Sequence, residues 1–329
     1  MKRTAFLAGA LAGAAAARAR AQSLYDPASS SSREELRVLL GKGTYAGGTD
    51  GFTFNGKPYR GSATQLPDGS IVNLLSLEEY LYSVVPREMS PSWPEQALQA
   101  QAVCARTYVL QRSNPRRAYD VRPSELDQVY AGIAGESPAG RAAVDACNGQ
   151  VLTYAGAYAQ VMYSSCCGGH TEASSDAWGG PPFPYLGGVV CTTCTDSPYY
   201  RWQRELDLAT VERAFAAELA PFGSLRGVSE ADRDASGRAR AFVLQAERGS
   251  VPVKGSTFRL RIGPRVVPSL LVTKIEPSTE ATQRVAIEGG GLGHGVGLCQ
   301  WGARGLALNG ASFGDILRFY FPGTAIEHV

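Results

Sequence analysis

The sequence lacks most of the obvious signs of chemistry. Histidine is scarce, since 329 residues contain only His170, His294 and His328, so the side chain that most often carries acid–base catalysis is rare. Ser164 and His170 belong to no Gly-x-Ser-x-Gly elbow, which argues against a serine hydrolase. The run "GLGHGVG" around His294 lacks the Gly-Lys-Ser/Thr ending of a Walker loop and does not fit the dinucleotide fingerprint, so nucleotide binding is not predicted.

Long apolar runs are also missing, and no stretch after the N-terminal region is long enough to cross a bilayer. Residues 1–21 instead combine a basic start, a short Ala/Gly/Leu run and the small residues Ala19 and Ala21. This is the layout of a cleavable export signal, so we expect a protein of the periplasm or of the cell wall and extracellular space, with no membrane span in the mature chain.

Charge of either sign is not in excess. Removing residues 1–21 takes away four of the 32 basic residues and none of the 30 acidic ones, which leaves 28 basic against 30 acidic side chains. A polyanionic partner such as a nucleic acid is therefore not predicted.

The pattern along the chain predicts an α+β protein. Residues 22–34 form a polar linker, and from Leu36 to Asn73 short β-like runs alternate with turns, which predicts small antiparallel hairpins. After Trp202 the pattern changes to a helix near 208–219 and then to β-like runs, among them "ARAFVLQAE", "FRLRIG" and "RVAIEG". We therefore expect a helix-and-strand region at 35–204, a smaller strand-rich insertion or second domain at 205–285, and completion of the first region by the Gly-rich loop and helices of 286–329, with a cleft between the two.

Two helix starts flank a short connection that contains Glu88. Ser76-Leu-Glu-Glu79 is a capping box for a helix that we expect to end before Pro86. Ser92-Trp-Pro-Glu95 reads as a second capping box, for a helix from about Trp93 to Gln111. Glu88 is then predicted on an irregular connection between the two helices.

Several ordered motifs resemble one family. The run "EEYLYSVVPREMSPSWPEQALQAQAVCARTY" closely resembles the SpoIID/LytB family of bacterial cell-wall proteins, and "DQVYAG", "YSSCCGGHTEASSDAWGG", "PYLGGVVC", "GLGHGVGLCQWGARGLALNG" and "ILRFYFPGT" follow in the family's order. The resemblance covers roughly residues 35–329.

The resemblance implies an exported peptidoglycan lytic transglycosylase, a glycan lyase that cleaves the β-1,4 bond between MurNAc and GlcNAc in peptide-stripped strands. Its catalytic acid/base, the glutamate of the P-x-E-M motif, falls on Glu88. A proton from this carboxylate reaches the leaving oxygen, and the same carboxylate can then accept the C6 hydroxyl proton as a 1,6-anhydro ring closes. Such an acid should lie in a dry pocket, for which Val84, Val85, Pro86, Met89 and Trp93 are available.

Other residues take site positions through the same resemblance. For each of them, the sequence leaves open whether the side chain lines the glycan groove or packs in the core. These candidate substrate-binding residues are Gln101, Arg106, Tyr108, Tyr163, Ser164, Ser165, His294, Gln300 and Trp301.

Four residues have the spacing of a structural metal site. Cys167-Gly-Gly-His170 and Cys191-Thr-Thr-Cys194 are two pairs with two-residue gaps, which suits a closed tetrahedral zinc site. Cys166 could replace Cys167. The alternative is a disulfide, which an oxidising compartment favours. We predict no organic cofactor.

Two other functions stay open. The family name also covers non-catalytic, wall-binding enhancers of an N-acetylmuramoyl-L-alanine amidase, so a cell-wall amidase is a second predicted partner beside the glycan strands. A two-carboxylate glycoside hydrolase would need Glu95, Asp127 or Asp176 opposite the scissile bond, and no motif places them there.

Overall fold

The computed structural model describes residues 35–48, 51–124, 127–276 and 283–329. The predicted export signal and polar linker lie outside the described residues. The described chain is α+β, as predicted, with helices and small sheets interleaved. Its α-helices are α1 (Leu77–Glu88), α2 (Glu95–Arg112), α3 (Pro138–Ala146), α4 (Ser174–Trp178), α5 (Leu208–Ala214), α6 (Ala216–Leu219), α7 (Gly255–Ile262), α8 (Gln300–Leu308) and α9 (Phe313–Tyr320).

The strands are short and form six small sheets within the described residues. They are β1 (Leu36–Lys42), β2 (Tyr45–Gly47), β3 (Phe52–Phe54), β4 (Lys57–Tyr59), β5 (Ser62–Gln65), β6 (Ser70–Leu75), β7 (Gln150–Tyr154), β8 (Ala157–Tyr158), β9 (Tyr163–Ser164), β10 (Trp202–Asp207), β11 (Leu225–Arg233), β12 (Ala239–Ala246), β13 (Gly249–Lys254), β14 (Val272–Ile275), β15 (Arg284–Gly289), β16 (Leu298–Cys299) and β17 (Ala325–His328). The antiparallel sheets β1-β6-β5 and β2-β3-β4 confirm the hairpins predicted near the N-terminus.

Helix α1 begins as predicted and ends later than predicted. Ser76 caps it in a capping box with Glu79. The expected stop before Pro86 is wrong, because the helix continues through the proline to Glu88. A proline in the last turn forfeits one backbone hydrogen bond, and the burial of Val84 and Val85 on the same turn offsets that loss. Glu88 is therefore the last residue of a helix and not part of an irregular connection.

Helix α2 runs through the centre of the first core. Its residues from Ala97 to Val109 are all buried, which makes it a helix enclosed on every side. The second capping box is wrong, because Pro94 is the N-cap and no side chain caps the helix. The Ser92 hydroxyl lies 2.9 Å from that of Ser90, and the Glu95 carboxylate accepts a hydrogen bond from the Gln99 amide.

A second hydrophobic core is built by residues from Trp202 to Ile287. It holds the sheets β10-β15-β14 and β11-β12-β13 together with α5, α6 and α7. The division of the chain into domains at 205 and 285 stays a prediction.

The expected strand "FRLRIG" is wrong, since its residues 258–262 belong to helix α7 and Gly263 is the C-cap. The alternation Phe258, Leu260, Ile262 fits a strand, but Phe258 and Ile262 also lie four residues apart and share one helix face. Those two are buried and Leu260 is 80% exposed, as a helix requires.

The chain returns to the first core after β15. The parallel pair β9–β16 sets Tyr163 beside Leu298 and Ser164 beside Cys299. Cys299 is then the N-cap of α8, and a capping box of Ser312 with Asp315 begins α9. No helix in the described ranges has the length and apolar content needed to span a membrane.

Candidate functional site

Glu88 lies where α1 meets the loop that follows Asp127. The backbone N–H of Val129 donates a hydrogen bond of 3.2 Å to the Glu88 carboxylate. One turn earlier, the Ser83 hydroxyl accepts a bond of 3.1 Å from the N–H of Ala131. The Glu88 side chain is half-buried, and Met89 next to it is buried. The loop thus fixes the carboxylate at the edge of the first core.

Two tyrosines lie near this carboxylate. Burial raises the pKa of Tyr80 and of Tyr163 well above the usual range, and the charge of Glu88 raises both further. Both phenols are therefore neutral at physiological pH. The Tyr163 hydroxyl accepts a bond of 3.0 Å from the Gln128 amide, which also reaches the Ala105 carbonyl of α2.

Two buried polar atoms near these groups have no hydrogen-bond partner within the described residues. They are the Tyr80 hydroxyl and the Gln128 carbonyl oxygen. Unsatisfied buried polar groups are costly and are rare in folded proteins. Their presence near Glu88 marks a place where water or a polar ligand is needed.

A second carboxylate near Glu88, that of Asp127, is already paired with a cation. Asp127 is paired with Arg122 at 2.8 Å. Burial raises the pKa of Asp127, but the hydrogen bonds from Arg122 outweigh it and leave the pKa below its usual value. The Tyr108 hydroxyl lies 3.5 Å from the same carboxylate, and the Arg112 guanidinium lies 3.6 Å from the centre of the Tyr108 ring. Asp127 is thus held as an anion in an ion pair.

Arg106 has the contacts of a core residue. Its side chain is buried, forms an ion pair of 2.6 Å with Glu78 and donates to the Gln150 carbonyl. These contacts join α2 to α1 and β7. They support the packing interpretation of Arg106 over the groove-lining one.

His294 lies beside the site as a neutral imidazole. Its Nδ1 accepts a bond of 3.0 Å from the Val296 N–H, and the ring also bonds to the backbone of Tyr163. Burial lowers the pKa of His294 to about 4. The ring packs 5.1 Å from that of Trp178, which is 54% exposed. His294 therefore holds a fixed position and has no proton to give near neutral pH.

The remaining candidates occupy the walls around β9 and α8. The Gln300 amide donates to the Gln101 carbonyl at 3.3 Å, with both side chains buried. The Ser164 hydroxyl accepts from the N–H of Gly295, and the Ser165 carbonyl accepts from that of Trp301. The Trp301 ring packs edge-on against Trp93 at 4.9 Å.

The structure thus links Glu88, Tyr163 and His294 in one neighbourhood. Sequence reasoning missed Tyr80 and Gln128, although both stand in quoted motifs, "EEYLY" and "DQVYAG". Nothing in their spacing distinguishes a buried polar side chain from an exposed one.

The cysteines assemble differently from the predicted set. The Sγ atoms of Cys167, Cys191, Cys194 and Cys299 all lie within 4.8 Å of one another and are all buried. His170 is absent from this group among the described residues, and its Nδ1 lies 2.6 Å from the Thr171 carbonyl. Cys299 is therefore the fourth member of the cluster, the position for which the sequence spacing predicted His170. All seven cysteines are described, and none of these forms a disulfide.

Comparisons with known proteins divide the chain into two matched parts. A family model described as stage II sporulation protein matches residues 67–154, and one described as a domain of unknown function (DUF8618) matches residues 191–297. An uncharacterized protein of Brachyspira hyodysenteriae is 34% identical over 284 residues, which cover 84% of this chain and 74% of that protein.

Two relatives carry functional names. The amidase enhancer of Bacillus subtilis is 29% identical over 294 residues, covering 75% of this chain but only 40% of the enhancer. Stage II sporulation protein D of the same organism is 26% identical over 276 residues, covering 78% of this chain and 76% of that protein.

Proposed function

Because this chain belongs to the SpoIID/LytB family, whose function is related to the cell wall, we propose that it is a peptidoglycan lytic transglycosylase. It cleaves the MurNAc-GlcNAc β-1,4 bond of peptide-stripped glycan strands, with Glu88 as the single acid/base. It acts outside the cytoplasm, after export.

One observation carries this proposal. Glu88 is held by the Val129 N–H at the end of α1, close to the neutral phenols of Tyr80 and Tyr163. Among the described residues nearby, Asp127 is tied to Arg122 and His294 is neutral with both ring nitrogens bonded, so neither is suited to moving a proton near neutral pH. We therefore assign the proton transfer to Glu88.

The reaction uses one carboxylate in two successive roles, first as an acid and then as a base. Protonated Glu88 gives its proton to the glycosidic oxygen as the bond breaks through an oxocarbenium-like transition state. The resulting carboxylate takes the proton of the C6 hydroxyl, whose oxygen attacks the anomeric carbon and closes the 1,6-anhydro ring.

The test is mass spectrometry of the products from peptide-free glycan strands. We expect 1,6-anhydro-MurNAc ends from the wild type and a loss of about 100-fold or more for Glu88→Gln, the scale of general acid–base catalysis. Glu95→Gln is the matched control, because it removes the same charge from a residue bonded to Gln99. Reducing-end muramic acid among the products, or equal activity of both variants, contradicts the proposal.

A second function is supported by one relative, the amidase enhancer. In that case the protein binds glycan strands and stimulates an amidase without cutting the strands. One experiment distinguishes the two functions. An enhancer leaves the glycan intact, and its Glu88→Gln variant still stimulates amidase release of stem peptides.

A further inference from the structure

The four clustered cysteines have the spacing of a metal-bound set. Four sulfurs at about 2.3 Å from one zinc ion are about 3.8 Å apart along each edge of a tetrahedron. The Sγ atoms of Cys167 and Cys194 are 3.7 Å apart, and all four sulfurs lie within 4.8 Å of one another. The sulfurs are grouped as a four-membered set and not as two bonded pairs.

Two backbone N–H groups donate to the Cys299 sulfur of the cluster. The Cys299 Sγ lies 3.2 Å from the N–H of Cys167 and 3.4 Å from the N–H of Gly302, in the first turn of α8. The Tyr320 hydroxyl lies 3.2 Å from the Cys191 Sγ. Such outer contacts stabilise thiolate charge and orient the ligands of a metal. The N-terminal end of α8 adds a favourable dipole.

Four buried sulfurs lie this close together, and one divalent cation compensates the charge of four thiolates at once.

The cluster stands where the chain leaves the first core and returns to it. Cys191 and Cys194 precede β10, the first strand of the second core, and Cys299 follows β15, its last strand. Cys167 comes from the loop after β9. A metal here closes the long excursion from 194 to 299 and fixes the start of α8, which carries Gln300 and Trp301.

We propose that Cys167, Cys191, Cys194 and Cys299 bind one zinc ion in a closed four-thiolate site that ties the base of the inserted segment to the first core. The site is structural, since four protein ligands leave no position for substrate. His170 is not a ligand. The competing arrangement is a pair of disulfides among the same cysteines.

The test measures metal content and coordination in the purified full chain. Elemental analysis should find one zinc per chain in the wild type, in His170→Ala and in Cys104→Ser, whose cysteine lies in α2 outside the cluster. Cys299→Ser should lose most of the zinc. Cobalt substitution of the wild type should give the intense sulfur-to-metal absorption of a tetrahedral thiolate site, and this measurement stands even where Cys299→Ser fails to fold.

Three results would overturn the proposal. The first is wild-type protein without zinc whose cluster cysteines resist alkylation until they are reduced, which shows disulfides. The second is zinc lost from His170→Ala and kept by Cys299→Ser. The third is iron in place of zinc. All three are independent of any glycan-cleaving activity.

Discussion

The guanidinium of Arg238 donates a hydrogen bond of 2.7 Å to the backbone carbonyl of Cys167. Arg238 belongs to the second core region and is 1% exposed, whereas Cys167 belongs to the cysteine cluster of the first core. The same guanidinium donates to the His170 carbonyl at 2.9 Å and lies 3.5 Å from the Glu172 carboxylate. Gly295 also lies against this guanidinium, since a methyl group added to Gly295 would lie 2.2 Å from an Arg238 nitrogen. One buried side chain thus braces both the cysteine loop and the loop of His294.

Replacing Arg238 should destabilise the protein strongly. Arg238→Met leaves the backbone carbonyls of Cys167 and His170 without their donor, and each unsatisfied buried group typically costs about 1–3 kcal/mol. Arg240→Met is the matched control, because that side chain is 45% exposed and its ion pair with Asp176 contributes about 1 kcal/mol or less. Denaturant unfolding measures both changes, and similar values for the two variants would contradict the bracing role.

Stability should fall as pH rises through the titration of Glu172. Burial raises the pKa of Glu172 to about 8, against the attraction of Arg238. The folded state therefore holds a proton that the unfolded state releases near its ordinary pKa of 4.5. This proton favours folding below about pH 4.5, and the contribution is lost progressively up to about pH 8. The unfolding free energy of wild type minus that of Glu172→Gln should decline by a few kcal/mol across this window, and a flat difference would refute the assignment.

His294 should stay neutral across the physiological range. Its pKa of about 4 predicts that its ring proton resonances do not shift between pH 5.5 and 8 in an NMR titration. Its folded pKa lies below the unfolded value, so its contribution to stability is present above about pH 6.5 and is lost as pH falls toward 4. His294→Gln identifies the signal. A midpoint near 6.5 would contradict the bonding of both ring nitrogens.

The helical state of α7 predicts unequal effects from two apolar residues. Phe258 is 1% exposed and stacks on Phe242 at 4.4 Å, so Phe258→Ala should cost about 3–5 kcal/mol. Leu260 is 80% exposed, so Leu260→Ala should change stability by about 0.5 kcal/mol or less. Thermal or denaturant unfolding separates these outcomes. Equal losses would restore the strand interpretation, in which both side chains share a face.

The two predicted helix caps should differ in the same way. Ser76→Ala removes a side-chain cap from α1 and should cost about 1 kcal/mol. Ser92→Ala removes only a contact with Ser90 and should be nearly neutral. A cost at Ser92 equal to that at Ser76 would mean that α2 is capped by Ser92 after all.

Local sequence signals determined the parts of the fold that depend on neighbours along the chain. The capping box at Ser76 was found in this way, because a cap involves residues three apart. The N-terminal hairpins followed from alternation and turn residues, and the motif order gave the family. Glu88 was singled out by the P-x-E-M motif.

Tertiary structure decided what depends on contacts between distant segments. Pro86 did not end α1, because core burial outweighs one lost backbone bond. The spacing of the apolar residues in "FRLRIG" fits both a strand and a helix. Packing against the second core determines that the segment is helical. Cys299 joined the cysteine cluster from 132 residues beyond Cys167, because the parallel pair β9–β16 carries it there, and no spacing rule reaches that far.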